Sequence, residues 1–262
     1  SMGMNLSMIG EDLLPRYTAA LDDAVQEQFG QLCDNELSMD TFSYYTSVSA
    51  VFSSRIEGEP VELDSYIKHK RLGAHLLPDY TRKTDDLYDA YSLAKRSALT
   101  MDNLLAAHAL LTKHILKKGR QGVVRTGNMF VLTNDGRIEY VAADPHTLSK
   151  EIKRFFGEVE ALLAAQLSFE EVLYYAAMLH LAFVKIHPFE DGNGRTARLL
   201  EKWFMAQKLG DKAWFVQSER YYYEHHHEYD ANIRKLGQEY DTLNYAEALP
   251  FLLMLPASVG MQ

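Results

Sequence analysis

The sequence predicts a mainly α-helical bundle carrying one small β-hairpin, and three observations predict it. Val172 to Ile186 is a nearly continuous apolar run, too long for a strand and long enough for a buried helix. Four further stretches, 11–32, 84–98, 100–118 and 145–165, show helical spacing of their apolar residues. Strand-type residues flank one turn signal, Asn134-Asp135-Gly136, at 129–141.

The elements follow in order. Glu11 to Leu32 reads as the first helix. Asp40 to Glu57 reads as the second, because Tyr45, Val48, Phe52 and Ile56 make an apolar stripe. Gly58 is its natural stop and Pro60 prevents continuation. Leu77 to Lys83 reads as a connection, with Pro78 as a breaker. Helices at Thr84–Ala98 and Thr100–Lys118 follow, the latter ending at Gly119. Met129–Thr133 and Arg137–Val141 then pair as the hairpin, and Pro145–Ala165 forms another helix. Ser168 and Glu171 make a capping box that opens the long apolar helix. Pro188 disfavours the helical region for His187, so that helix stops there. A last long helix starts near Arg195, runs to Lys208 and stops at Gly210.

The chemistry concentrates in twelve residues, His187-Pro188-Phe189-Glu190-Asp191-Gly192-Asn193-Gly194-Arg195-Thr196-Ala197-Arg198. A histidine can act as a base near neutral pH. Asp191 is competent to hold a metal. Gly192-Asn193-Gly194 lies at a helix N-terminus, where free amides, the helix dipole and glycine backbone favour an anion. Arg195 and Arg198 share a face three residues apart. Cations in a first helical turn oppose the dipole, so something anionic should compensate. A polyphosphate would do so through bidentate bonds.

This segment resembles the signature of the Fic (filamentation induced by cAMP) domain family, H-x-F-x-(D/E)-G-N-G-R-x-x-R, at every defining position, and the resemblance extends over about residues 40–255. It implies a Fic-like helical bundle with a β-hairpin flap. It implies transfer of AMP from ATP to a Ser, Thr or Tyr hydroxyl of a target protein, with release of pyrophosphate. By the same resemblance His187 is the general base and Asp191 holds Mg²⁺ on the phosphates. Gly192, Asn193 and Gly194 form the anion hole, Arg195 and Arg198 grip the β- and γ-phosphates, and Phe189 anchors the loop.

Ser53-Ser54-Arg55-Ile56-Glu57-Gly58 resembles the family's inhibitory signature, (S/T)-x-x-x-E-(G/N), and makes Ser53, Glu57 and Gly58 inhibitory residues within a helix of about 40–58. Glu57 sits where its charge opposes the dipole of its own helix, so pairing with Arg198 would relieve both misfits. The hairpin corresponds to the family's flap, and Gly122-Val123-Val124-Arg125 to its G-x-x-R lead-in. Phe130, Val131, Leu132, Ile138 and Tyr140 are the flap residues expected to meet an extended target segment. Tyr229 is the candidate for walling the adenine pocket, whereas His180 reads as a core histidine. Three consecutive histidines, 225–227, cannot share one helix face and make a poor zinc site.

Composition bounds the rest. A hydrophobic content of 47% over 262 residues supports a substantial core. The chain is expected to divide at 1–83, a helical region with the inhibitory helix, and 84–262, the catalytic core and C-terminal helices. A net charge of −9 argues against nucleic acid as a partner. One cysteine, Cys33, fits a reducing cytoplasm, and no run is long enough to span a membrane. The expected partners are ATP and a protein target, with a second copy of the chain left open. Two other functions remain open. One is an ATP-binding regulatory module with little transfer activity. The other is a bifunctional enzyme that also removes AMP.

Overall fold

In the computed structural model, which describes residues 4, 6–73 and 78–261, the chain is mainly α-helical with a single two-stranded antiparallel sheet among those residues. The helices are α1 (Leu14–Ala20), α2 (Val25–Gln31), α3 (Tyr44–Ile56), α4 (Leu63–Leu72), α5 (Pro78–Lys95) and α6 (Met101–Leu111). The hairpin β1 (Phe130–Leu132) and β2 (Ile138–Val141) follows. Then come α7 (Pro145–Ala164), α8 (Phe169–Ile186), α9 (Asn193–Leu209), α10 (Ser218–Glu224), α11 (His226–Arg234), α12 (Leu249–Leu252) and α13 (Met254–Val259).

Helix α8 is the axis of the bundle. Its sequence is apolar on all sides, and Leu173, Tyr175, Ala176, Ala177, Leu179, Leu181 and Phe183 are fully buried. A helix apolar all round must be covered on every face, and α1, α7, α9, α12 and α13 pack against it. The Ser168–Glu171 capping box is formed in both directions and starts it cleanly. Helix α9 lies beside it with Leu199, Leu200, Trp203 and Phe204 buried. Each such side chain is worth roughly 1.5–3 kcal/mol of transfer free energy. The two helices that flank the His187–Gly192 loop are therefore firmly anchored.

Several elements differ from the sequence expectation, each for a local reason. The first helix is two short ones. Leu21 is extended (ψ 140°), and the Asp22 carboxylate accepts from the Ala24 amide, a local bond that competes with helix. Helix α6 ends at Leu111 rather than Lys118, where Thr112 takes φ −101° and turns its hydroxyl onto the His108 carbonyl. Pro78 is the first described residue of α5 and does not break it. A proline fits a first helical turn because its missing donor would be orphaned anyway. The rest of the expected connection before it, Leu77, lies outside the described residues. Helix α4 carried no readable start signal, since Glu62 makes no side-chain cap. The helix after 168 stops at Ile186 as expected, but His187 takes φ 54°, ψ 60°, the left-handed region, rather than an extended conformation. The division at 83/84 falls inside α5. One continuous apolar cluster runs from Ile9 to Val259, because α3 and α5 pack directly on α9.

Candidate active site

The loop from His187 to Gly192 is held by partners from outside it. Arg125, 4% exposed, donates from Nε to the His187 carbonyl at 2.6 Å and from Nη2 to the carbonyls of Ile186 (3.2 Å) and Ala143 (2.6 Å). Its own amide donates to the Pro188 carbonyl at 2.9 Å. These bonds overdetermine the left-handed backbone of His187 and aim its ring. Asn193 closes the loop from the other side. Its amide nitrogen donates to the Phe189 carbonyl at 2.8 Å, and its oxygen accepts from the Phe189 amide at 2.9 Å. The Asn193 side chain is thus a brace, and what it offers an anion is its main-chain N–H at the start of α9. Phe189 is buried and stacks on His108, with ring centroids 3.6 Å apart.

Burial, with the nearby Arg125 charge, lowers the His187 pKa to about 4, while the Asp191 charge and a hydrogen bond with the Val184 main chain pull the other way. The ring is neutral at pH 7, the form a base requires.

Arg198, 1% exposed, is the most constrained cation of the site. It donates from Nε to Ser53 Oγ (2.8 Å), from Nη2 to the Ser53 carbonyl (3.2 Å) and from Nη1 to the Tyr229 hydroxyl (3.2 Å). Its Nη2 also meets Glu57 Oε1 at 2.7 Å. Burial works against its charge, but Tyr229 and Glu57 outweigh burial and raise its pKa. The Tyr229 hydroxyl in turn lies 2.8 Å from His180 Nε2, and His180 Nδ1 lies 2.8 Å from Glu201. His180 and Glu201 are completely buried, so this chain runs from the core to the guanidinium.

The Glu57 carboxylate stands in the glycine cradle itself. A Cβ placed on Gly194 would lie 2.6 Å from Glu57 Oε1 and 3.0 Å from Arg198 Nη1. Burial alone would raise the Glu57 pKa, yet the Arg198 and Arg195 charges and the hydrogen bond from Arg198 hold it below the ordinary carboxylate range. Gly58, with φ 92°, ends α3 and releases the chain from the site. Glu59 follows and lies 3.7 Å from Arg195 and 3.1 Å from Lys83. Arg195 Nε is buried with no hydrogen-bond partner among the described residues, an orphan donor facing this region.

These groups line one end of a cavity of about 530 Å³, which His187, Asn193, Gly194, Arg198 and Glu57 share with Tyr229 and the hairpin. Asp191 and Arg195 are not part of that lining. Asp191 is exposed, with Oδ1 accepting from the Gly192 amide at 2.7 Å, and it faces the neighbouring cleft beside Glu190 and Arg120. Glu190 turns away to Arg120 at 3.4 Å.

At the other end, the hairpin turns its exposed Phe130 (49%) and Leu132 (58%) outward. Gly136 supplies the positive φ of the turn, and the register shifts between Val131 and Leu132. The outer edge of β2 is covered: Val141 donates to the Gln238 carbonyl, and the Gln238 side chain to the Ile138 carbonyl. Among the described residues no strand covers the outer edge of β1. Tyr140 lines the cavity and also anchors the hairpin: it is 6% exposed, its hydroxyl donates to the Lys185 carbonyl at 2.5 Å, and Lys185 Nζ sits 4.4 Å above its ring. Lys185, buried on the cavity wall, has its pKa lowered to about 8 by burial. Sequence reasoning passed over Lys185, Glu59 and His108, because no local pattern distinguishes them from helix-face or loop residues.

Residues 98–205 match the family model of the Fic/DOC family. They form a Fic domain. Curated relatives share it: a protein adenylyltransferase Fic of Nematostella vectensis is 33% identical over 110 residues, covering 41% of this chain and 23% of the relative. Its counterpart from Culex quinquefasciatus is 36% identical over 107 residues, 40% of this chain and 19% of its own. A uridine 5'-monophosphate transferase of Xanthomonas campestris pv. campestris (strain 8004) is 39% identical over 61 residues, 22% of this chain and 11% of its own. The matched stretch thus spans less than a quarter of these relatives' lengths. Among solved structures, a Fic family protein from Desulfovibrio desulfuricans G20 superposes with a TM-score of 0.75 at 18% identity, over 98% of this chain and 73% of that one. Fic-1 (residues 134–508) from C. elegans superposes with a TM-score of 0.62 at 18% identity, over 95% and 69%. At such identity these likenesses establish the Fic fold and nothing beyond it.

Proposed function

We propose that this protein is an autoinhibited protein adenylyltransferase. A Ser, Thr or Tyr hydroxyl of a target attacks the α-phosphorus of ATP. His187 takes the hydroxyl proton, the bond from the α-phosphorus to the bridging oxygen breaks, and pyrophosphate leaves. Reactions of this type need positioning and charge stabilisation more than covalent help. The amides at the start of α9 and the guanidiniums of Arg195 and Arg198 would supply both. The observation that carries the reading is the Glu57 carboxylate held 2.7 Å from Arg198 inside the glycine cradle, in the same cavity as a neutral His187. Donors that hold a carboxylate there suit a phosphate oxygen as well.

Mg²⁺ fits the donor set only as part of a nucleotide complex. Among the described residues no three His, Cys, Asp or Glu side chains converge on a metal position. One exposed carboxylate beside a phosphate cradle suits an ion that keeps phosphate and water ligands. Asp191 would hold it, and bound Mg²⁺ would neutralise phosphate charge. The exposed β1 edge supports an extended protein segment as the acceptor. No helix among the described residues is long and apolar enough to cross a membrane.

A second reading, a nucleotide-binding regulatory module, is favoured by the same Glu57 contact, which leaves the cradle filled. Incubating wild type and Glu57→Gly with α-labelled ATP, Mg²⁺ and cell lysate separates them. Label fixed to protein in the variant supports transfer, whereas nucleotide binding without any fixed label supports the module. α-Labelled UTP run in parallel tests whether the base is adenine, given the uridine 5'-monophosphate transferase among the relatives.

A further inference from the structure

We propose that His108 is a positioning residue that places the Asp191 loop relative to His187, acting as a neutral imidazole protonated on Nε2. The inference rests on the transferase reading and deepens it. His108 is fully buried in α6, nearly eighty residues before the motif in sequence. Its Nδ1 lies 2.9 Å from the Gly122 amide, and its Nε2 lies 2.9 Å from the Asp191 carbonyl. A backbone N–H can only donate, so Nδ1 accepts and Nε2 carries the hydrogen that Asp191 accepts. The ring lies nearly parallel to Phe189, 14° between planes.

The surroundings leave this arrangement little freedom. A Cβ on Gly122 (φ 69°) would stand 2.8 Å from the Leu105 carbonyl. A Cβ on Gly192 (φ 82°) would stand 2.9 Å from Thr112 and 3.4 Å from His108 Nε2. Two glycine backbones therefore press on one face of α6, and His108 joins them. Three residues past Gly122, Arg125 holds the His187 carbonyl at 2.6 Å. The single segment 122–125 thus fixes the backbone at both His187 and Asp191, once directly and once through His108. Both ring nitrogens are satisfied, as burial requires, and the partner that bears on the site is the Asp191 carbonyl.

The test uses the full chain carrying Glu57→Gly. His108→Phe keeps ring volume and stacking but loses both hydrogen bonds; His108→Gln keeps a donor and an acceptor. Calorimetry gives the ATP Kd with and without Mg²⁺, and label transfer gives the Mg²⁺ concentration for half-maximal rate. The proposal expects His108→Phe to weaken the Mg²⁺-dependent part of ATP binding by about tenfold or more, as for groups that orient a metal's ligand. Binding without Mg²⁺ should change little, and His108→Gln should recover part of the loss. A His108→Phe protein whose binding and rate keep the parent's Mg²⁺ dependence, whatever its thermal stability, overturns the proposal. Should Glu57→Gly bind ATP in Mg²⁺ but transfer nothing, the transferase reading falls while the Kd comparison still decides the role of His108. Nitrogen-15 NMR of the unmutated chain gives an independent reading if the variants fold poorly: hydrogen on Nδ1 rather than Nε2 would sink the assignment.

Discussion

If the proposed function holds, removing the Glu57 carboxylate should open a phosphate site, and the size of the effect can be worked from the contacts. Glu57 Oε1 is 2.7 Å from Arg198 Nη2 and stands against Gly194, so a phosphate oxygen and this carboxylate cannot occupy the cradle together. On the proposed reading ATP must break the contact before it binds productively. A charge-assisted hydrogen bond is worth about 1.5–3 kcal/mol. The Glu57 side chain is 32% exposed, which places this pair toward the lower half of that range. The expected gain on Glu57→Gly is therefore about ten- to fifty-fold in transfer at sub-saturating ATP, at about 1.4 kcal/mol per factor of ten. Arg198 should stay in place, because Ser53 and Tyr229 still hold it. Arg198→Ala added to Glu57→Gly should then cancel the gain. The assay is fixation of α-labelled ATP on the protein itself and on lysate targets, with ATP affinity by calorimetry. Acid is no substitute for the mutation. The Glu57 pKa is lowered in the folded state, so the contact is whole above the ordinary carboxylate range and is lost only as pH falls through that lowered value. A Glu57→Gly protein with wild-type transfer and wild-type ATP affinity would refute the latch.

The remaining predictions concern His187, Asp191 and the core. In the Glu57→Gly background His187→Ala should cut transfer by roughly 10²–10⁴-fold while leaving ATP binding nearly unchanged; equal losses in both would move His187 out of the proton-transfer role. Because burial holds the His187 pKa at about 4, the rate should show no break near 6.5 and decline only as pH approaches 4, read from the pH profile of label transfer. Asp191→Ala should weaken Mg²⁺-dependent ATP binding, whereas Glu190→Ala, which breaks only an exposed contact with Arg120, should not; the reverse order in calorimetry would reassign the carboxylate. Lys202, fully buried against Glu219 and Ser49, should cost about 3–5 kcal/mol when replaced by Met, because it leaves the Glu219 charge unpaired. Lys202→Met combined with Glu219→Gln should regain part of that, and denaturant unfolding of both decides it.

What was legible in the chain was what depends on neighbours in sequence. The capping box at Ser168, the glycine stops at Gly58 and Gly210 and the Asn134-Asp135-Gly136 turn all act over four residues or fewer, and each appears where expected. The same range explains the misses. The chain leaves the helix at Leu21, where Asp22 makes a local side-chain bond, and at Thr112, where φ turns to −101°. The periodicity of the flanking residues could not decide either stop.

The pattern from His187 to Arg198 put a histidine, a carboxylate, a glycine turn and two arginines on one loop and the first turn of one helix. Only the tertiary structure decided which of them face the cavity. Asp191 turns to a side cleft, and the Asn193 side chain is consumed by the Phe189 backbone. It also decided what stands opposite. Glu57, Ser53 and Tyr229 reach Arg198 across 141, 145 and 31 residues, and His108 reaches Asp191 across 83. Sequence could propose the Glu57–Arg198 pair because each end left a charge opposing its own helix dipole. His108 left no such local misfit. A buried imidazole bridging two main-chain groups is specified by the packing of α6 against two glycines, and that packing exists only once the bundle has closed.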